Sequence, residues 1–129
     1  WNPAFRADGS TLKQRLVSLI HEESALLLVA VKGKKVVGYI HGEIVKYLLF
    51  AGSEMLMSEV FVREAVRGQG VGKSLIEAIE SEAVKQRCFR ISVLNSRERE
   101  SYKREFYPSL GYEERPGTAV FNKRLDWGN

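Results

Sequence analysis

The residues most suited to chemistry in this chain are the glycines of "VRGQGVGKSLI", Val66 to Ile76. Gly68, Gly70 and Gly72 alternate with Gln69 and Val71, with Arg67 and Lys73 on either side. Glycines at this spacing let successive main-chain N–H groups converge on one concave point. A helix beginning there adds about half a positive charge at its N-terminus. Such a loop can cradle linked phosphates, and Arg67 and Lys73 can add charge to its rim. The closing Gly72-Lys73-Ser74 matches the tail of nucleoside-triphosphate loops, but that template, Gly-x-x-x-x-Gly-Lys-Ser, puts Arg67 where its first glycine is required. The dinucleotide fingerprint, Gly-x-Gly-x-x-Gly, puts Lys73 where its third glycine is required. Both templates fail. A pyrophosphate cradle of another kind remains, beside the plainer reading of a glycine-rich turn that only joins a strand to a helix.

The elements around the loop decide whether it can be held in place. Residues 11–23, "TLKQRLVSLIHEE", put Leu12, Leu16, Leu19 and Ile20 on one helical face. "ALLLVAVKGKKVVGYIHGEIV" reads as two strands joined by the turn Lys32–Lys35, with Gly33 as the turn residue. A connection near Ala51–Gly52 leads into the strand "EMLMSEVFV", which runs directly into the glycine loop. Ser74–Arg87 follows as an amphipathic helix with the stripe Leu75, Ile76, Ile79 and Ala83. "FRISVLN" is a strand by its β-branched and aromatic content. Ser96 can cap a charged helix reaching about Phe106, with Pro108 discouraging its continuation. "GYEERPGTAVFNKRL" reads as two strands around Pro116-Gly117. The order α–β–β–β–α–β–α–β–β implies an α/β fold of the α+β kind, one mixed sheet with helices on both faces.

Composition narrows the function classes. The chain of 129 residues suits one domain, 1–129, able to bury a core. Its net charge of +4 comes from Lys and Arg interspersed with Glu, which argues against a nucleic-acid-binding stripe. The longest apolar runs, such as Ala25–Val31, fall far short of the ~20 residues that span a bilayer, and no charged-then-apolar leader opens the sequence, so no membrane association is expected. The lone Cys88 excludes an internal disulfide and fits a reducing, cytoplasmic location, as an inert thiol at the start of a strand.

With these elements in place the chain resembles the GNAT superfamily of N-acetyltransferases. Arg-x-x-Gly-x-Gly between strand and helix looks like the family's acetyl-CoA loop, within the wider stretch "SEVFVREAVRGQGVGKSLI". Downstream, "FYPSLGYEE" resembles the family's Phe-Tyr-x-x-x-Gly-Tyr/Phe signature, and "FNKRL" its closing strand. The likeness covers roughly residues 11–125. It implies the GNAT fold, a mixed and mostly antiparallel sheet in which the strand before the loop splays from the next parallel strand. It also implies that coenzyme A lies in that gap, with main-chain contacts from Val60, Phe61 and Val62 and the pyrophosphate held by Arg67, Gly68, Gln69, Gly70, Val71, Gly72 and Lys73.

The implied reaction is attack of a primary amine on the acetyl thioester, with acetyl-CoA as co-substrate and no metal. An alkylammonium has a pKa of about 10, so the acceptor must first lose a proton. The resemblance makes Glu59 the candidate base, with His41 and Glu43 as weaker alternatives and Tyr107 as the acid that protonates the departing thiolate. One main-chain N–H among Val60–Val62 would hold the developing oxyanion. Asn95 matches an Asn that contacts the pantetheine arm in relatives, although twelve positions separate it from Tyr107, more than the commonest pattern has. Strict alternation puts Ser58 and Glu59 on opposite faces without saying which one meets the acceptor. His41 otherwise reads as a structural histidine and His21 as a surface residue.

The family also has an opening strand and helix, for which "WNPAFRADG" is too short, so the N-terminal part is expected to be truncated or to precede Trp1. The expected partner is a small-molecule or peptide amine, its pocket built from loops around Tyr47–Gly52 and Glu113–Thr118. A homodimer is expected only by the resemblance. The competing function is a coenzyme-A-binding regulatory module with weak or no catalysis; the presence of both Glu59 and Tyr107 counts against it.

Overall fold

The computed structural model describes residues 6–126; the opening stretch Trp1–Phe5 lies outside the described residues. The chain divides between Leu94 and Asn95 into two units. In the first, helix α1 (Gly9–Leu19) is capped by Asp8, whose carboxylate accepts the Thr11 N–H at 2.7 Å. Strands β1 (Ala25–Lys32) and β2 (Lys35–Lys46) form the expected hairpin, with Gly33 at φ +64° in its turn. Strand β3 (Ser53–Val62), helix α2 (Val71–Lys85) and strand β4 (Cys88–Val93) follow. The sheet order is β1-β2-β3-β4, antiparallel except for the parallel β3–β4 pair. This is the mixed, mostly antiparallel sheet with helices that the sequence implied.

The core forms where α2 lies on the sheet. Leu75, Ile76, Ile79 and Ala83, the predicted stripe, are buried with Val37, Ile40, Met55 and Met57. Each large apolar side chain removed from water there contributes about 1.5–3 kcal/mol. The approach is close because β2 has glycines beneath the helix. A Cβ at Gly42 would lie 2.6 Å from Ile79 Cδ1 and 2.8 Å from Met55 Sδ. By contrast, α1 buries none of its residues; Leu12, Leu16 and Ile20 of its expected apolar face are exposed. The helix touches β1, and no layer of the described residues covers the rest of that face.

One irregularity in β3 changes the reading of the strand. Gly42 pairs with Met57 and His41 with Glu59, so Ser58 is an extra residue in the ladder, a β-bulge. Strict alternation would place Glu59 on the α2 face with Met55 and Met57. The extra residue moves it instead to the opposite face, with Glu54, Leu56 and Phe61.

The second unit contains two short helices, α3 (Glu100–Lys103) and α4 (Phe106–Ser109). The single helix expected from Ser96 to Phe106 is thus corrected. Ser96 begins a turn, its carbonyl accepting the Arg99 N–H at 3.1 Å, and Glu105 adopts a left-handed φ of 55° that separates the helices. Pro108 sits in the first turn of α4, where a missing N–H costs nothing. The turn at Pro116-Gly117 is present, with Thr118 N–H donating to Arg115 O at 3.2 Å, but its expected flanking strands are not. Residues 112–126 join no strand ladder, and Val120, Phe121 and Leu125 are exposed. A period-two pattern makes a strand only where a partner edge takes up its main-chain hydrogen bonds.

Candidate active site

The glycine loop is held by main-chain anchors at its near end. Where β3 ends, Arg63 donates from its backbone N–H to Val37 O at 2.8 Å and from Nε to Val36 O at 2.9 Å. A 3-10 turn at Glu64–Val66 follows, and Arg67 reaches back, Nε donating to Val62 O at 3.0 Å. Gly68 and Gly70 then take φ of +77° and +83°, values open to glycine and strained for other residues. Neither has a heavy atom within 4 Å of where a Cβ would lie, so both border open space.

Helix α2 starts at Val71, three residues before the expected Ser74. Its N-cap, Gly70, has no side chain to offer, and the first intrahelical bond runs from Ser74 N–H to Gly70 O at 3.0 Å. The amides of Val71, Gly72 and Lys73 precede that bond and have no capping side chain, which is the arrangement that accepts an anion. Two side-chain contacts complete the loop. Lys73 Nζ is 3.9 Å from Glu77, and Lys32 Nζ, from the β1–β2 hairpin, donates to Gln69 Oε1 at 2.8 Å.

Strands β3 and β4 pair from Ser53↔Cys88 to Met57↔Val93 and no further. Beyond the unpaired Ser58, strand β3 runs on through Glu59–Val62 paired with β2 alone. The main chain of Val60, Phe61 and Val62 therefore presents an edge without a β4 partner, immediately before the loop.

At the paired end of β3, Glu54 is buried and accepts hydrogen bonds from Arg90 Nη2 at 2.7 Å, Tyr47 Oη at 2.6 Å and Ser92 Oγ. Burial pushes its carboxyl up. The hydrogen bonds from Arg90, Ser92 and Tyr47, with the guanidinium charge, more than offset this and bring it down to about 2. Sequence reasoning missed this cluster. Its signal is Arg90 and Ser92 two residues apart on a strand, so on one face, beside a strand that carries an acid among apolar residues.

The sheet face opposite α2 carries the polar groups near the bulge. Tyr39 Oη donates to Glu59 Oε2 at 3.2 Å, and the Tyr39 and Phe61 rings lie 5.9 Å apart. Burial, then the charge of Glu59 and the hydrogen bond to it, raise the Tyr39 phenol above its usual range. His41 Nε2 pairs with Glu43 Oε1 at 2.9 Å. The Tyr47–Gly52 connection lies at the other end of β3 from the glycine loop.

In the second unit, Tyr107 of α4 packs edge-on against Phe106 and Tyr112, at 5.1 and 5.8 Å between ring centroids. Burial raises its phenol, partly countered by the positive charge of Arg99. Asn95 Oδ1 accepts from Ser101 Oγ at 3.0 Å. Of the other groups singled out, His21 is exposed, its Nδ1 2.8 Å from Val17 O. Cys88 opens β4, half-buried, with its thiol pushed up by that burial.

The fold is thus a mixed sheet whose one parallel pair parts beside a glycine loop, and sequence comparison gives its family. Residues 23–114 match the family model described as acetyltransferase (GNAT) domain, and the chain belongs to that family. The match spans both units. No curated protein matches the chain in sequence. Among solved structures, a putative acetyltransferase from Agrobacterium tumefaciens superposes with a TM-score of 0.81 at 21% identity, covering 96% of this chain and 85% of that one. The aminoglycoside 6'-N-acetyltransferase AAC(6')-IG from Acinetobacter haemolyticus gives 0.73 at 21%, covering 95% and 86%. AAC(6')-Iy, solved with the bisubstrate analogue CoA-S-monomethyl-acetylneamine, gives 0.77 at 19%, covering 94% and 83%.

Proposed function

We propose that the protein is an acetyl-CoA-dependent N-acetyltransferase acting on a primary amine, a single acetyltransferase domain in the cytoplasm. The supporting observation is the early end of the β3–β4 ladder at Met57↔Val93 beside a loop with two left-handed glycines. The loop fits a diphosphate: its first-turn amides lack a side-chain cap, and the spaces beside Gly68 and Gly70 are open. In this reading the coenzyme supplies the acetyl thioester. Gly68 to Lys73, with Arg67, hold its pyrophosphate, the open main-chain edge at Val60–Val62 lines the pantetheine arm, and Asn95 contacts that arm.

Glu59 receives the proton that the ammonium must lose, directly or through water. Its position on the polar face with Tyr39, His41 and Glu43 favours it over a carboxylate committed to the core. The amine nitrogen then bonds to the acetyl carbon, the carbon–sulfur bond breaks, and Tyr107 gives its proton to the departing thiolate, its phenol being restored by the second proton that the nitrogen sheds on becoming an amide. A phenol raised by burial stays protonated at neutral pH, the state an acid needs. The acceptor is a small-molecule or peptide amine; the aminoglycoside acetyltransferases among the structural neighbours favour a small molecule.

Thermal shift tests the binding half of this reading, and thiol release over an amine panel the catalytic half. Acetyl-CoA should raise Tm with ATP giving no comparable effect. Stabilisation by ATP alone would overturn the loop assignment. Coenzyme binding with no thiol released from any amine would favour the regulatory module.

A further inference from the structure

The two cations that flank the loop in sequence each have a neighbour within the protein. Arg67 spends its Nε on Val62 O, and Lys73 lies 3.9 Å from the Glu77 carboxylate. A third cation reaches the loop from 37 positions away. Lys32 is the last residue of β1, paired with Lys35 across the hairpin turn, and its Nζ donates to Gln69 Oε1 at 2.8 Å. Gln69 stands between the two left-handed glycines. Its side-chain oxygen is neutral and uses one of three ammonium protons. Among the described residues Lys32 forms no ion pair. The hairpin thus carries an uncompensated positive charge to the glycine loop, on a two-residue turn that leaves it little freedom to swing away.

Resting on the coenzyme-binding reading above, we infer that Lys32 is a ligand to the diphosphate of coenzyme A, supplied in trans of the loop by the β1–β2 hairpin. The lysine completes charge that the loop amides offer only as dipoles, and it makes coenzyme affinity depend on a segment with no place in the glycine motif.

Isothermal titration with coenzyme A and with dephospho-coenzyme A, which keeps the diphosphate and lacks the 3'-phosphate, tests this. Lys32→Met should weaken both about tenfold, the loss shrinking at high salt, because a charge-assisted hydrogen bond at an exposed site is partly screened. Lys32→Arg should restore most of the affinity, and Lys34→Met, two residues along in the turn, should leave it unchanged. The unliganded Tm of Lys32→Met should equal that of the parent protein, since Lys32 is exposed. Unaltered affinity in Lys32→Met overturns the inference. So does a loss confined to coenzyme A, which would put the lysine on the 3'-phosphate, and so does an equal loss in Lys34→Met, which would mean a diffuse field. If the parent protein binds neither coenzyme, the acetyltransferase reading itself fails and the inference goes with it.

Discussion

Replacing Glu54 by Gln probes the clasp that holds β3 to β4 just before the two part. The carboxyl drops from 4.5 to about 2 in the folded protein. At about 1.36 kcal/mol per unit this corresponds to about 3 kcal/mol of stability. The sign follows from the direction: a depressed acid stabilises fully above its unfolded value and loses that contribution as pH falls toward its folded value. The contribution is thus complete above about pH 5 and down to about 1.4 kcal/mol at pH 3. Glu54→Gln keeps an acceptor oxygen for only one of the Ser92 and Tyr47 hydroxyls, presents an N–H donor to the other, and leaves the Arg90 guanidinium without its counter-charge, while Arg90 Nε is already buried without a partner. Water reaches part of that guanidinium, since the Arg90 side chain is 38% exposed, which keeps the cost near the lower end of the ~3–5 kcal/mol for breaking a buried pair. At an unfolding entropy of about 2.1 cal/mol/K per residue, a 3 kcal/mol loss lowers Tm by about 10 °C. Calorimetry at pH 7 and urea unfolding from pH 7 to pH 3 check it. The expected result is a large gap between parent and variant at neutral pH that narrows by more than half at pH 3. A gap under about 3 °C at pH 7, or one that does not change with pH, would refute the assignment of the stabilisation to the ionised carboxylate.

Two predictions concern the chemistry. Tyr107→Phe should reduce turnover about 100-fold, the usual scale for a lost general acid, with acetyl-CoA affinity within twofold by titration; unchanged turnover removes the phenol from the reaction. Glu59→Gln should reduce kcat/KM by a similar factor, read by thiol release, with acetyl-CoA affinity within twofold by titration. An unchanged kcat/KM would pass the role to another group, with His41 the nearest in register.

Much of this was readable from residue types because the relevant constraints are local. A left-handed backbone requires glycine, so Gly68 and Gly70 declared the loop, and the stripe Leu75, Ile76, Ile79 and Ala83 declared the buried face of α2. The turn at Gly33 and the parallel crossover through α2 were legible for the same reason. What stayed hidden depends on partners distant in sequence. The alternation in "TAVFNKRL" looks like a strand, yet it joins no ladder. The charged segment after Ser96 looks like one helix, yet Glu105 turns left-handed and divides it. Lys32 at Gln69 and Arg90 at Glu54 join residues 37 and 36 positions apart, and no window along the chain reveals such pairs.

The bulge at Ser58 shows how closely position and chemistry are tied in β3. The β4 ladder stops at Met57, and at the next residue the β2 ladder takes up an extra one. Both events happen at one level of the strand, four residues beyond Glu54, whose clasp keeps the lower part of β3 and β4 in register. Below this level β3 is core, with Met55 and Met57 against α2; above it, its main chain is open on one side and its carboxylate, Glu59, stands on the polar face. Without Ser58 the period of two would turn Glu59 into the α2 packing layer, where an unpaired carboxylate is costly and no acceptor could reach it. The role proposed for residue 59 as a base would therefore not be a property of the glutamate alone. It requires the one unpaired residue before it, which explains why a sequence pattern that names Glu59 cannot by itself say which way it points.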